Sequence, residues 1–178
     1  MTDQELVEAC LKRDPTAQKE LYDKFSGKMM GVCLRYSQGQ DDAQDILQDG
    51  FIKVFEKLEQ YSGKGALGGW IRMIMINTAL IQIRKEKKHA YQEEITDTME
   101  LNQDDYSVLD QMAADELIAL IQKLPAGYRT VFNLYAVEGY SHREIADQLG
   151  ISESTSKTQF FKAKAHLKKS ITLMEQTS

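Results

Sequence analysis

Apolar residues recur every three to four positions through almost the whole chain, and no stretch alternates apolar and polar side chains as a half-buried strand would. The pattern predicts an all-α fold. Thr2 and Glu5 have capping-box spacing and predict a first short helix. Asp14-Pro15 offers an N-cap with proline at the first helical position, so a second helix should start there and carry Leu21, Tyr22 and Phe25. A third segment is expected over roughly 28–36, before SQGQDD breaks the chain. A long helix follows over about 42–58. At about 100° per residue, Leu47, Phe51, Val54, Phe55 and Leu58 share one side of it and Asp42, Asp45 and Asp49 the other. The acidic side reads as a solvated face or as a docking surface.

The stretch YSGKGALGG, 61–69, has four glycines in nine residues and is expected to be a flexible connection. No strand precedes it and no Gly-Lys-Ser/Thr follows it, so it is not a phosphate loop. The helix after it, 70–88, is apolar on most sides and should be largely buried. One stripe differs: Trp70, Met73, Asn77, Ile81, Arg84 and Lys88 recur at three- and four-residue spacing. Asn77 within such a helix needs a polar partner, in a neighbouring helix or at a base edge. Beyond it, 91–110 has weak periodicity and reads as a mobile acidic linker between a domain over 1–90 and a second over 111–178. Helical spacing resumes from Asp110 to Leu124, where Pro125 ends it, and again over about 127–137.

The segment SHREIADQLGISESTSKTQFFKAKAHLKK, 141–169, is a helix-turn-helix pattern. Ser141 and Glu144 form a capping box, and Ile145, Ala146 and Leu149 give the buried side. Gly150 supplies the turn, Ile151 plugs it, and Ser152 caps the next helix. On that helix Phe160, Ala163 and Leu167 should face inward. Ser154, Thr155, Ser156, Lys157 and Gln159 are expected to face outward at its N-terminal end, where short polar side chains read base edges and lysines neutralise phosphate. His142 is expected to be a surface residue.

Charge sharpens this picture. The 178 residues carry a net charge of −5, yet the charges are segregated. Nine acids and no Lys or Arg lie between Glu93 and Glu116. Arg84, Lys85, Lys87 and Lys88 form one basic cluster; Lys157, Lys162, Lys164, Lys168 and Lys169 form another. Two basic clusters flanking an acidic stretch fit a nucleic-acid binder with two contact sites. Cys10 and Cys33 are too few for a disulfide framework or a metal site and suit a reducing compartment. The N-terminus lacks a signal-peptide core, and no apolar run is long enough to span a bilayer. The expected location is the cytoplasm, without membrane insertion.

Three ordered motifs carry a family resemblance. LPAGYRTVFNLYAVEGYSHREIADQLGISESTSKTQFFKAKAHL resembles the C-terminal domain of extracytoplasmic-function (ECF) sigma factors, whose helix-turn-helix reads the minus-thirty-five promoter element. DDAQDILQDGFIKVF is similar to that family's helix that docks on the clamp helices of RNA polymerase's largest subunit. GGWIRMIMINTALIQIRKEKKH is similar to its segment that melts and reads the minus-ten element. The resemblance implies a polymerase-docking surface at Asp42, Asp45, Gln48 and Asp49. It implies minus-ten contacts from Trp70, Arg72, Asn77, Arg84, Lys85 and Lys88, with the glycine-rich loop where the family captures a flipped base. Minus-thirty-five contacts would come from Ser154, Thr155, Ser156, Lys157, Gln159, Lys162 and Lys164. It implies core polymerase and promoter DNA as partners, with an anti-sigma factor as a further one, and no cofactor. The chain departs from the family at Leu67, where an aromatic is usual, at Met73, where a basic residue is common, and at Ile81, where Asp is common. Phe161 also stands on the lysine face. Either minus-ten recognition is unusual or the 70–88 stripe is partly covered in the free protein.

Two other readings compete. A conventional helix-turn-helix regulator with an N-terminal sensor or dimerisation domain would bind a palindromic duplex without polymerase. The basic cluster far from the helix-turn-helix disfavours it. A helical enzyme is disfavoured because His89, His142 and His166 are scattered and no paired-carboxylate or His-Glu-x-x-His arrangement occurs.

Overall fold

A computed structural model describes residues 1–86, 90–91 and 112–177. Every regular element among them is helical. The chain divides into two compact units, Met1–Ile83 and Arg84–Ser178. Apart from Tyr91, the expected linker over 91–110 lies outside the described residues.

The N-terminal unit opens with α1, Asp3–Leu11. Its capping box is complete: Thr2 Oγ1 accepts from the Glu5 N–H at 3.2 Å, and the Glu5 carboxylate accepts from the Thr2 N–H at 2.8 Å. Helix α2, Pro15–Tyr36, is capped by Asp14, whose carboxylate accepts from the Thr16 N–H at 3.0 Å. The separate segment expected over 28–36 is the second half of this helix. Gly27 and Gly31 lower its intrinsic propensity, but burial of Met29, Val32, Cys33 and Tyr36 outweighs that cost. Helix α3, Gln40–Lys57, runs into a 3-10 turn, Leu58–Gln60. Helix α4, Leu67–Glu86, starts earlier than expected. Leu67 is 1% exposed, and its burial draws the last residues of the glycine-rich stretch into the first turn, which leaves 61–66 as the connection.

Leu21, Phe25, Ile46, Val54, Ile71 and Met75 are among the buried side chains of α2, α3 and α4. Each such side chain contributes about 1.5–3 kcal/mol when fully removed from water. Gly50 on α3 lets Met75 of α4 lie against the backbone, because a Cβ there would overlap the Met75 sulfur. Cys10 and Cys33 are buried free thiols. Burial pushes the Cys33 thiol up to about 12, so it stays protonated.

The C-terminal unit contains α5, Ala114–Gln122, and α6, Ala126–Phe132. A π turn follows, Asn133–Val137, where an uninterrupted helix was expected. Asn133 is buried, and its side-chain amide donates to the Arg129 carbonyl at 2.9 Å. The Glu138 N–H reaches back five residues to the Asn133 carbonyl at 2.9 Å, which widens the turn. Helices α7, His142–Leu149, and α8, Glu153–Thr177, complete the unit. Its core includes Ile121, Val131, Phe132, Leu134, Ile145, Phe160, Ala163 and Leu167.

Candidate functional site: nucleic-acid and docking surfaces

Helices α7 and α8 form the helix-turn-helix expected from the caps. Ser141 Oγ accepts from the Glu144 N–H and the Glu144 carboxylate from the Ser141 N–H, both at 3.1 Å. Gly150 has φ 67° and ψ 35°, the left-handed conformation that ends α7, and the Ile151 N–H donates to the Ala146 carbonyl at 3.1 Å. Ser152 Oγ accepts from the Thr155 N–H at 2.9 Å and donates to Thr155 Oγ1 at 2.8 Å, which caps α8.

At the start of α8, Ser154 and Lys157 are exposed, and Thr155 is half-buried. Further along, Lys162 and Lys164 are half-buried, with the Lys164 ammonium 5.1 Å from the Phe160 ring centroid. Lys157 lies 3.7 Å from the Glu153 carboxylate, and such an exposed pair contributes at most about 1 kcal/mol.

Two expectations on α8 are corrected. Ser156 is 0% exposed and Gln159 1% exposed, so neither faces outward. The reason is geometric. Positions 156, 159, 160, 163 and 167 recur at three- and four-residue spacing and form the inner stripe of α8, so these two polar residues share it with Phe160, Ala163 and Leu167. Neither amide atom of Gln159 has a hydrogen-bond partner among the described residues. Phe161, on the lysine face in the sequence, is half-buried.

His142 is half-buried too, contrary to its reading as a surface residue. Its ring stacks on Tyr135 at 4.3 Å and 12°, and its Nδ1 lies 2.8 Å from Ser156 Oγ. Burial, and then the Lys157 ammonium, hold the imidazole below its ordinary pKa, against the smaller opposing pull of Glu153.

On α4 the mixed stripe is exposed. Met73 and Ile81 each leave 43% of their surface in water, and Asn77, Arg84 and Lys85 are exposed beside them. Exposed in this way, Asn77 needs no partner from a neighbouring helix. Trp70 and Arg72 are half-buried, and Lys88 lies outside the described residues. The Trp70 ring sits 5.5 Å from Tyr61 at the mouth of the glycine-rich loop, and the Tyr61 hydroxyl donates to the Gly65 carbonyl at 2.8 Å across it.

The acidic side of α3 divides in two. Asp45, Gln48 and Asp49 are exposed on one face. Asp42 is half-buried, and its carboxylate accepts from the Gln82 side chain of α4 at 2.9 Å and from the Gln38 N–H at 3.3 Å. Its polar atoms are already engaged in holding the start of α3. Next to Asp45, Gln48 and Asp49 runs a groove of about 360 Å³ between α2 and α3, lined by Tyr22, Gln44, Gln48, Phe51, Ile52 and Phe55. Ile52 is 50% exposed there, and Tyr22 packs on Phe51 with ring centroids 4.8 Å apart. Sequence reading missed Ile52 and Tyr22 as surface features. The available signal was an isoleucine placed one turn from Gln48 and Asp49, on the polar side of α3.

A helical protein of two units, with a capped helix-turn-helix in the second and an exposed mixed stripe along α4 that ends in Arg84 and Lys85 at the unit boundary, is the class defined by these features. Two family models match it: "Sigma-70 region 2" over residues 21–89 and "Sigma-70, region 4" over residues 114–167. The RNA polymerase sigma-H factor of Pseudomonas aeruginosa is 29% identical over 180 residues, covering 95% of this chain and 93% of that protein. The ECF RNA polymerase sigma-E factor of Haemophilus influenzae is 27% identical over 182 residues, 96% of each. A solved sigma factor from Bartonella quintana, RpoE in complex with the anti-sigma factor NepR, aligns with a TM-score of 0.49 and 20% identity, over 85% of this chain and 94% of that one. The chain belongs to the extracytoplasmic-function group of the sigma-70 family.

Proposed function

We infer that this sigma factor divides promoter recognition between its units. The N-terminal unit docks on core RNA polymerase and engages the minus-ten element, and the C-terminal helix-turn-helix reads the minus-thirty-five element. The observation that carries the reading is the presence of two DNA-suited surfaces: the capped start of α8, and the α4 stripe around exposed Asn77, followed at the start of the second unit by exposed Arg84, whose guanidinium donates to the Gln148 carbonyl at 3.4 Å, and Lys85. A conventional regulator needs only the first.

Docking on polymerase falls to Asp45, Gln48 and Asp49 together with the Ile52 groove, while Asp42 acts as a strut between α3 and α4. The acids suit a basic partner surface and the groove an apolar side chain at its centre. On the DNA side, Ser154 and Thr155 are the base-reading candidates at the start of α8, and Lys157, Lys162 and Lys164 the phosphate contacts. Along α4, Trp70, Asn77, Arg84 and Lys85 share the side assigned to the opened strand, and Lys88 continues the same spacing; Arg72 falls on the opposite side of the helix and is left out of that contact. The chain catalyses nothing in this scheme. Strand opening is driven by trapping unpaired bases, at a few kcal/mol per base, and polymerase makes the RNA. The site of action is where polymerase works, in the cytoplasm, and an anti-sigma factor is the expected inhibitor.

In vitro transcription with purified core polymerase of the source bacterium, over a pool of its promoter fragments, tests the reading. Promoter-specific transcripts should require the chain. Specific binding of a palindromic duplex by the chain alone, without stimulated transcription, would favour the regulator reading instead.

A further inference from the structure

We propose that His142 and Ser156 form a positioning pair that sets the angle of the recognition helix, so that base discrimination at the upstream element depends on two residues that do not touch DNA. This rests on the reading of α7 and α8 as the minus-thirty-five reader.

The two residues occupy the joint of the motif. His142 is the first residue of α7 and Ser156 lies in the first turn of α8. Their polar atoms are 2.8 Å apart, with the imidazole tautomer deciding which one donates. Ser156 is fully buried, so its hydroxyl faces the imidazole and not solvent. Tyr135 of the π turn covers one face of the imidazole at 4.3 Å and packs against Phe160 of α8 at 4.5 Å. Three elements therefore meet at His142.

Ile145, Ala146, Phe160 and Ala163, buried on α7 and α8, add packing that is apolar and non-directional. Such contacts hold two helices together but tolerate small rotations. A hydrogen bond weakens steeply when bent, so this pair fixes the rotation of the recognition helix. Ser154, Thr155 and Lys157 flank Ser156 in the chain, and a shift of about 1 Å there separates a working contact from a lost one.

The test uses holoenzyme assembled from core polymerase and the full chain, with a duplex enriched by the wild-type holoenzyme from a randomised pool as probe. The readout is the ratio of affinity for that duplex to affinity for a scrambled one. Ser156→Ala and His142→Ala should each lower the ratio about fivefold, the equivalent of one lost hydrogen bond. The double variant should lose no more than either single one, because both remove the same contact. His142→Asn places an amide where Nδ1 sits and should recover most of the ratio. The log-log salt slope should stay at the wild-type value in every variant, since no phosphate contact is removed.

An unchanged ratio in Ser156→Ala overturns the proposal, as do additive losses in the double variant. A slope reduced by about one would mean that His142 or Ser156 meets phosphate directly, which overturns it too. Failure of the wild-type holoenzyme to enrich any duplex would instead remove the sigma-factor reading on which the pair depends.

Discussion

Replacing Ile52 with alanine should weaken binding to core polymerase about fivefold and leave the free chain folded. Ile52 stands in the α2–α3 groove with half its surface in water, beside exposed Gln48 and Asp49. Complete burial of an isoleucine side chain is worth about 1.5–3 kcal/mol. With half of that already realised in the free chain, docking recovers about 1 kcal/mol, which corresponds to a factor of about five in Kd. Alanine forfeits most of this gain. In the free protein its higher helix propensity offsets part of the lost half-buried contact.

A titration of labelled chain with core polymerase at about 0.1 M and about 0.5 M salt distinguishes this apolar contribution from the neighbouring charges. Asp49→Lys should weaken binding strongly at the lower salt and much less at the higher, because an exposed charge is screened. The Ile52→Ala effect should be nearly the same at both. Affinity within twofold of wild type at both salt concentrations would take the groove out of the interface. A loss that vanishes at high salt would mean the substitution acts through the acids and not through burial.

Met73→Arg should raise promoter opening several-fold by permanganate footprinting, because a charge-assisted phosphate contact is worth about 1 kcal/mol or more; with Met73 43% exposed, the thermal midpoint should not fall. Lys157→Ala should lower the log-log salt slope of upstream-duplex binding by about one and leave base preference intact, whereas Ser154→Ala should shift preference at constant slope. The depressed pKa of His142 makes stability pH-dependent: the unfolded chain takes up a proton near pH 6.5 that the folded imidazole resists, because burial and then the Lys157 ammonium outweigh the opposing pull of Glu153. Stability from this group is therefore complete above that pH and declines as pH falls, and His142→Asn should remove that part of the slope in denaturant titrations.

What could be read from the chain was local. Thr2, Asp14 and Ser141 announce helix starts through contacts three residues away or fewer, and each one forms. The turn at Gly150 is equally local, because a left-handed residue is needed wherever α7 ends. The errors occurred where tertiary packing overrides local preference. Gly27 and Gly31 suggest a weak point in α2, yet buried residues on both sides carry the helix across it. Ser156 and Gln159 were misread because polarity was given more weight than position. Their spacing from Phe160, Ala163 and Leu167 already put them on the inner stripe. The groove at Ile52 was only half legible: an isoleucine on the polar side of α3 was there to be read, but the Tyr22 wall comes from the packing of α2 on α3, which periodicity within one helix does not show.

The charge segregation acquires a physical reason on this assignment. A chain of net charge −5 approaching DNA is repelled only by acids within about a Debye length of the phosphates, roughly 8–10 Å at cellular ionic strength. Lys157 stands at the start of α8, where it pairs with Glu153 at 3.7 Å, and Lys162 and Lys164 carry the positive charge further along the same helix. Asp45 and Asp49 lie on a helix of the other unit and would face a basic protein surface, not a phosphate backbone. The same two carboxylates on the DNA-reading helix would weaken phosphate binding, and lysines on α3 would repel the partner that α3 is assigned. Placing acids on the protein-docking face and lysines on the reading helix therefore favours the intended orientation on the holoenzyme and disfavours the reversed one, in which α3 meets DNA. Tight promoter contact then depends on polymerase holding both DNA surfaces in place.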